Sequence, residues 1–86
     1  MGHLTHEELQ SRITDAKAKV EVGAKYAHYK NLQNEYLVEE LGFIEETEEV
    51  CVIYRPLYND GYVWVRTVEN FIEEIPEKGQ RFIKIK

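Results

Sequence analysis

The chain has 86 residues and a formal net charge of −5, from 11 Lys and Arg residues against 16 Asp and Glu residues. A chain of this length has room for one compact core, which excludes a second domain and a deep cleft between domains. The acidic balance disfavours general nucleic-acid binding, because a phosphate backbone attracts proteins through Lys and Arg. No apolar run reaches the roughly 20 residues of a membrane-spanning helix, and no signal peptide is visible. We therefore expect a cytoplasmic protein without a membrane partner.

An N-terminal α-helix is predicted over residues 5–20, after a tail of residues 1–4. Thr5 and Glu8 have the spacing of a capping box, in which each side chain accepts a hydrogen bond from the backbone N–H of the other residue. Apolar residues then recur at helical spacing: Leu9, Ile13, Ala16 and Val20. This stripe has to be covered, either by the rest of the chain or by a second copy, so a homodimer through the helix is one alternative.

Residues 22–86 change to a period of two, which predicts about five short antiparallel strands. The segments with this pattern are 26–30, 36–43, 50–55, 62–68 and 81–85. A turn is expected at residues 31–34, and the alternation slips near Glu40, which indicates a β-bulge by Gly42. The strongest turn signal is Asn59-Asp60-Gly61, because these residue types tolerate the positive φ of a tight hairpin.

Five short strands after one helix predict a single domain of the mainly β (α+β) class. We expect residues 22–86 to form a small, partly open, SH3-like barrel with the helix packed on its side or mouth. A curled sheet of four or five strands on one helix is the close alternative. The third strand, residues 50–55, is apolar on both faces and should be central. Its lone cysteine, Cys51, is then a small buried hydrophobe in a reducing compartment.

Aromatic and basic residues crowd the predicted hairpin and form the candidate site. Strand parity places Trp64 and Arg66 on the same side of the fourth strand. Guanidinium groups stack on aromatic rings and bind carboxylates or phosphates, so the hypothesis is a non-catalytic binding module for a protein segment or a small anionic ligand. Its candidate residues are His28, Tyr54, Arg55, Tyr58, Trp64 and Arg66. In the alternative interpretation, the aromatic residues fill the core and both arginines pair with nearby glutamates.

His28 is the one histidine within the predicted strands. It lacks a second histidine or a cysteine at ligand spacing, so no metal is expected. No nucleophile motif and no glycine-rich phosphate loop accompany it, so neither a catalytic residue nor a cofactor is predicted. Two alternatives stay open: a small enzyme or enzyme accessory that uses His28 with Arg55 or Arg66 on an anionic substrate, and a weak single-strand nucleic-acid binder.

Several of these residues also resemble the pattern of a known family. The matching segments are Tyr26-Ala27-His28-Tyr29-Lys30, Tyr36, Glu46-Thr47, Tyr54-Arg55-Pro56-Leu57-Tyr58, Trp64-Val65-Arg66 and Phe71. In order and spacing, these segments resemble the sequence pattern of the family catalogued as domain of unknown function 1653, which consists of small bacterial proteins. The match covers about residues 22–75 and implies an uncharacterised bacterial protein.

The sequence departs from that family pattern at three positions. Asn59 replaces a usual glycine, Thr67 replaces a usual proline, and Ile44 stands where a second histidine is found. The last difference matters most, because a metal or acid–base role that needs two histidines loses one member here.

Overall fold

The computed structural model describes residues 4–58 and 61–85, and this part of the chain contains two helices and seven strands. In chain order these are α1 (His6–Lys19), β1 (Lys25–His28), β2 (Asn31–Phe43), β3 (Val50–Pro56), β4 (Trp64–Thr67), α2 (Val68–Phe71), β5 (Glu74–Ile75), β6 (Gly79–Gln80) and β7 (Phe82–Lys84). The mainly β class with an N-terminal helix is confirmed. Neither described helix is long and apolar enough to cross a membrane.

The first helix begins as its capping signal predicts. The Thr5 hydroxyl accepts a hydrogen bond from the Glu8 backbone N–H at 3.1 Å, and the Glu8 carboxylate accepts one from the Thr5 N–H at 2.9 Å. Along the helix, Ala16 and the following Val20 are buried, and Ile13 packs against the same core. α1 packs on β2 and β3 of its own chain, which covers this part of the apolar stripe within the chain.

Five of the strands form one antiparallel sheet in the order β4-β3-β2-β1-β7. This number agrees with the about five strands predicted from the sequence. The pairing of β2 with β3 shifts register between Val38 and Glu40, so Glu39 is the extra residue of a β-bulge. β5 and β6 form a separate two-stranded hairpin. Within residues 4–58 and 61–85, no hydrogen-bonded ladder joins β4 to β7, so the sheet is not a closed barrel.

The prediction of a turn at residues 31–34 is wrong. The chain reverses at residues 29–30, and Asn31 already begins β2. His28 stabilises this early turn, because its Nδ1 accepts a hydrogen bond from the Lys30 backbone N–H at 3.2 Å, much as an Asx side chain does. The pairing of β1 with β2 also shifts register at this end, where Asn31 pairs with His28 and Glu35 pairs with Ala27. Residues 32–34 therefore have no partner in this ladder.

The third strand lies between β2 and β4 and is buried on both faces. Cys51 is 2% exposed, and Val52, which points to the opposite face, is fully buried. The predicted burial of Cys51 is therefore confirmed, and this burial raises the pKa of its thiol.

Gly61, in the segment between β3 and β4, packs too closely against Pro56 to be replaced by a residue with a side chain. Asn59 and Asp60 lie outside the described residues, so the turn predicted there is described only at Gly61. A Cβ atom on Gly61 would lie 2.3 Å from Cγ of Pro56, far inside van der Waals contact. Close approach to a rigid proline ring, and not a positive φ, is thus what requires glycine at this position.

The sheet curls so that its two outer strands approach each other. Arg66 is on β4 and Phe82 is on β7, at opposite ends of the strand order. Nevertheless, the guanidinium carbon of Arg66 lies 5.4 Å from the centre of the Phe82 ring. Of these two side chains, Arg66 lines the candidate site.

Candidate functional site

A cavity of about 320 Å³ opens near the hairpin and is lined by Tyr36, Tyr54, Tyr58, Trp64 and Arg66. We refer to it as the Arg66 cavity. Its lining follows from the strand register, because Tyr54 pairs with Trp64 on one side and with Val38 on the other. Cross-strand partners share a face of the sheet, and so do residues two apart. Tyr36, Tyr54, Trp64 and Arg66 therefore project from the same face.

Arg66 is held in place by three neighbours. Its Nε donates a hydrogen bond to the Tyr54 hydroxyl at 2.8 Å, and its Nη1 donates to Oδ1 of Asn70. Its guanidinium also lies over the Phe82 ring, a cation–π contact. The arginine is half-buried and fixed in orientation before any ligand arrives.

Arg66 has no acidic partner in the described part of the chain, unlike three other cations of the sheet region. The ion pairs of those cations are Arg55–Glu39, Arg81–Glu73 and Lys84–Glu21. The Arg66 guanidinium carries five N–H groups, of which two are used by Tyr54 and Asn70. Three N–H groups are left for a ligand or for water.

The phenol groups add further donors. Tyr54 is 5% exposed, and its hydroxyl oxygen accepts from Arg66, while among residues 4–58 and 61–85 its own hydrogen has no acceptor. The hydroxyls of Tyr36 and Tyr58 lie 2.8 Å apart, so one of these two groups donates to the other and one keeps a free hydrogen. Among residues 4–58 and 61–85, the lining of the Arg66 cavity therefore presents a set of hydrogen-bond donors and no carboxylate or carbonyl side chain.

Tyr36 is the titratable group most affected by this environment. Burial, followed by the hydrogen bond with Tyr58, raises the pKa of Tyr36 to about 12. Tyr36 also makes edge-to-face ring contacts with Tyr54, Tyr58 and Phe82, at centroid distances of 5.7, 5.6 and 5.5 Å. Its hydroxyl therefore stays protonated at any physiological pH.

We expect one tyrosine to ionise later than the other tyrosines in an alkaline titration followed at 295 nm. Tyr36→Phe should remove this late step, and Tyr58→Phe should move it to lower pH, because one cause of the raised pKa is lost. The folded state keeps a proton that the unfolded chain releases near pH 10, so this group's contribution to stability is present below pH 10 and is lost as the pH rises towards 12. A late step that survives Tyr36→Phe would contradict this assignment.

Arg55 does not join the cavity. It is adjacent to Tyr54 on β3 and therefore points to the opposite face, where its Nε lies 2.9 Å from a carboxylate oxygen of Glu39. The pair is largely exposed, and such pairs contribute at most about 1 kcal/mol. The alternative interpretation, in which arginines pair with glutamates, thus describes Arg55 and does not describe Arg66.

His28 lies beside the cavity and is not among its lining residues. Its ring contacts the edge of Phe82, with centroids 4.9 Å apart, and its Nδ1 is occupied by the Lys30 N–H. Burial and then the positive charges of Arg66 and Arg81 lower the pKa of His28. Loss of solvation thus disfavours the charged imidazole most, and the two arginines add to this effect.

Sequence reasoning did not identify Phe82 and Asn70 as parts of the site. Phe82 supplies the ring under Arg66, but it lies in the last strand, and only the curl of the sheet brings it there. Asn70 lies four residues after Arg66, beyond the end of the predicted fourth strand at residue 68. The Thr67 hydroxyl, which accepts from the Asn70 N–H at 3.2 Å, is a capping signal that could have located this helix.

A second concavity of about 340 Å³ lies between α1 and the ends of β3 and β4. Its charged lining residues are Arg12, Asp15, Lys19, Glu49 and Glu69. Because positive and negative side chains are mixed in this lining, the concavity has no positive electrostatic potential that would attract an anion. In the described part of the chain, no group of three or more His, Cys, Asp or Glu residues is placed to hold a metal ion.

Comparisons with known proteins agree with the resemblance seen in the sequence. The model of a family described as "Protein of unknown function (DUF1653)" matches residues 24–84. The crystal structure of a DUF1653 protein from Bordetella bronchiseptica is similar, with 29% sequence identity, a TM-score of 0.60, and an alignment that covers 73% of this chain and 85% of that chain. No curated protein matches the chain. The matched region reaches Phe82, beyond the predicted limit near residue 75, and leaves α1 outside.

Proposed function

Since the chain belongs to the DUF1653 family of proteins of unknown function, we propose its function from the Arg66 cavity. It is a non-catalytic cytoplasmic binding module that recognises the anionic group of a small ligand or of a protein segment. Arg66 binds the anion, and the aromatic rings hold the group to which the anion is attached. The observation that carries this proposal is a half-buried, pre-oriented arginine that contacts no carboxylate in the described residues.

The hydrogen-bonding character of the cavity selects for an anion. Its polar lining consists of three tyrosine hydroxyls, a guanidinium and an indole N–H, all of which can donate. A ligand that binds to these donor groups has to supply hydrogen-bond acceptors. A carboxylate supplies two coplanar oxygens, which can accept two parallel hydrogen bonds from a planar guanidinium. A cationic ligand would meet Arg66 at short range, and none of the described lining residues is a carboxylate that could offset this repulsion.

The size and walls of the cavity favour a small planar ligand. About 320 Å³ is at the lower end of the range for small-molecule sites, which is roughly 300–1,000 Å³. The walls contain Trp64, which is 54% exposed, and Tyr58, which is half-buried. Aromatic rings contact flat groups over a large area, so a carboxylate next to a ring or a peptide plane fits both features.

The position of His28 favours binding over catalysis. The lining residues that the structure describes include no serine, cysteine, histidine or carboxylate that could act as a nucleophile or as a general base at neutral pH. His28 is not among the lining residues, its ring contacts Phe82, and one of its ring nitrogens accepts a hydrogen bond from the backbone. We further infer that the curled sheet is an SH3-like barrel left open at the seam that Arg66 bridges.

Benzoate and benzamide provide a matched pair of probes for this proposal. They have the same shape, but only benzoate is anionic. In an NMR titration of the ¹⁵N-labelled protein at pH 7, benzoate should shift the Trp64 indole and the Arg66 Nε resonances in a saturable manner, and benzamide should leave them unchanged. Equal shifts from both probes would show that the cavity binds aromatic groups without selecting charge, and this would overturn the proposal.

A further inference from the structure

We propose that the natural ligand of the Arg66 cavity is an extended acidic peptide that adds as a strand to the free edge of β4 and places one carboxylate on Arg66. This inference rests on the proposed function and narrows it to one ligand class. It combines an unprotected sheet edge, exposed apolar side chains along that edge, and an arginine without an acidic partner in residues 4–58 and 61–85.

The edge of β4 lacks three of the features that normally prevent strand pairing, and its one charged residue, Arg66, is the residue that the proposed peptide would bind. β4 is the last strand of the sheet and pairs only with β3 in the described part of the chain. Its sequence, Trp64-Val65-Arg66-Thr67, contains no lysine and no proline, and its register with β3 has no bulge. Lysines, prolines and bulges are the usual protection of an edge. At the opposite end of the sheet, β7 carries Lys84 and is protected in this way.

Apolar side chains continue along the segment that leads into this edge. The exposed large hydrophobic residues there are Tyr62, Val63, Trp64 and Val65. Val65 is 58% exposed and points away from the cavity, to the face opposite Trp64. A strand added beside β4 would cover Val65 on one face and Trp64 on the other, which gives the peptide apolar contacts on both of its sides.

Charge complementarity identifies the residue that the peptide must carry. Trp64 and Arg66 share the cavity face, and side chains directly opposite each other on paired strands have Cβ atoms about 4.5–5.5 Å apart. A glutamate beside Trp64 or Arg66 can therefore reach the three free N–H groups of Arg66. Its two sequence neighbours would lie on the Val65 face, where apolar residues fit. The expected pattern is apolar–acidic–apolar in an extended segment.

The test uses the capped peptide Thr-Ile-Glu-Ile-Thr and the fluorescence of Trp64, the only tryptophan in the chain. We expect saturable binding, and we expect a Gln-for-Glu peptide to bind at least tenfold more weakly. Two N-methylated peptides, modified at alternate positions, distinguish strand pairing from side-chain capture. Methylation of the N–H groups that face β4 should reduce affinity at least tenfold, and methylation of the groups that face solvent should be tolerated.

Each other outcome has a defined meaning. If both N-methylated peptides bind like the parent while the Gln peptide is weak, strand pairing is overturned and anion recognition at Arg66 survives. If the Gln peptide binds as tightly as the parent peptide, the proposal that the peptide needs a carboxylate is overturned. The benzoate titration then decides whether anion binding by the Arg66 cavity, the proposed function, still stands. If no peptide binds and sedimentation shows a dimer whose fraction rises with concentration, the edge pairs with a second copy and the peptide proposal is overturned.

Discussion

Replacing Phe71 with alanine should lower the free energy of unfolding by about 3–5 kcal/mol, the usual cost of removing a buried phenylalanine. Phe71 is 0% exposed and stacks on Phe82 with ring centres 4.3 Å apart and an interplanar angle of 1°. It also makes edge-to-face contacts with Tyr26 and Tyr54. The substitution therefore leaves a cavity at the point where α2 meets the sheet.

The effect of Phe71→Ala should be severe because the domain is small. Net stabilities of domains are about 5–15 kcal/mol, and 1 kcal/mol corresponds to roughly 4–8 °C in Tm for a domain of 60–100 residues. Urea unfolding followed by circular dichroism measures the loss. Leu32→Ala is the matched control, because Leu32 is 61% exposed and should change stability by less than about 0.5 kcal/mol. A loss below about 1 kcal/mol for Phe71→Ala would contradict the packing described here.

Replacing Arg66 with alanine should destabilise the fold by about 2–3 kcal/mol and should also remove anion binding. The stability loss follows from the hydrogen bonds to Tyr54 and Asn70, because bonds to charged groups contribute about 1.5–3 kcal/mol, and from the contact with Phe82. Arg55→Ala removes the same residue type from an exposed ion pair and should cost at most about 1 kcal/mol. Urea unfolding of both variants gives the comparison.

A second variant separates the stability of the fold from the charge of Arg66. Asn70→Ala removes one hydrogen bond to Arg66 and leaves the guanidinium in the cavity. It should be less stable than the wild type by about 1–2 kcal/mol, yet it should still bind benzoate at a temperature where it is folded. If Asn70→Ala and Arg66→Ala lose binding equally, the lost packing and not the lost charge would explain the effect of Arg66→Ala.

The features that the sequence predicted correctly are those determined by near neighbours. The capping box of Thr5 and Glu8, the slip in alternation near Glu40 and the burial of Cys51 depend on residue type and on alternation within a few positions. The bulge itself lies at Glu39 and not by Gly42, where it was predicted. The turn at residues 31–34 was misplaced because the His28 side chain stabilises an earlier reversal. An imidazole in that role is not a standard turn signal.

Part of the candidate site was also predictable, because the alternation of neighbouring residues along a strand determines which face each side chain occupies. Strand parity placed Trp64 and Arg66 on one face, and the register confirms that arrangement. The sequence could not place Phe82 under Arg66, because that contact exists only after the sheet has curled. It also grouped Arg55 with this face through proximity in the sequence, although neighbouring residues of a strand point in opposite directions.

The most direct test of anion recognition by Arg66 is a benzoate titration of three proteins by NMR at one temperature where all of them are folded. The proteins are the wild type, Arg66→Gln and Arg55→Gln, which lose one positive charge each from opposite faces of the sheet. The account predicts that Arg55→Gln binds benzoate within about twofold of the wild type and that Arg66→Gln shows at least tenfold weaker binding, a difference of about 1.4 kcal/mol. Equal affinities in the wild type and Arg66→Gln would contradict it.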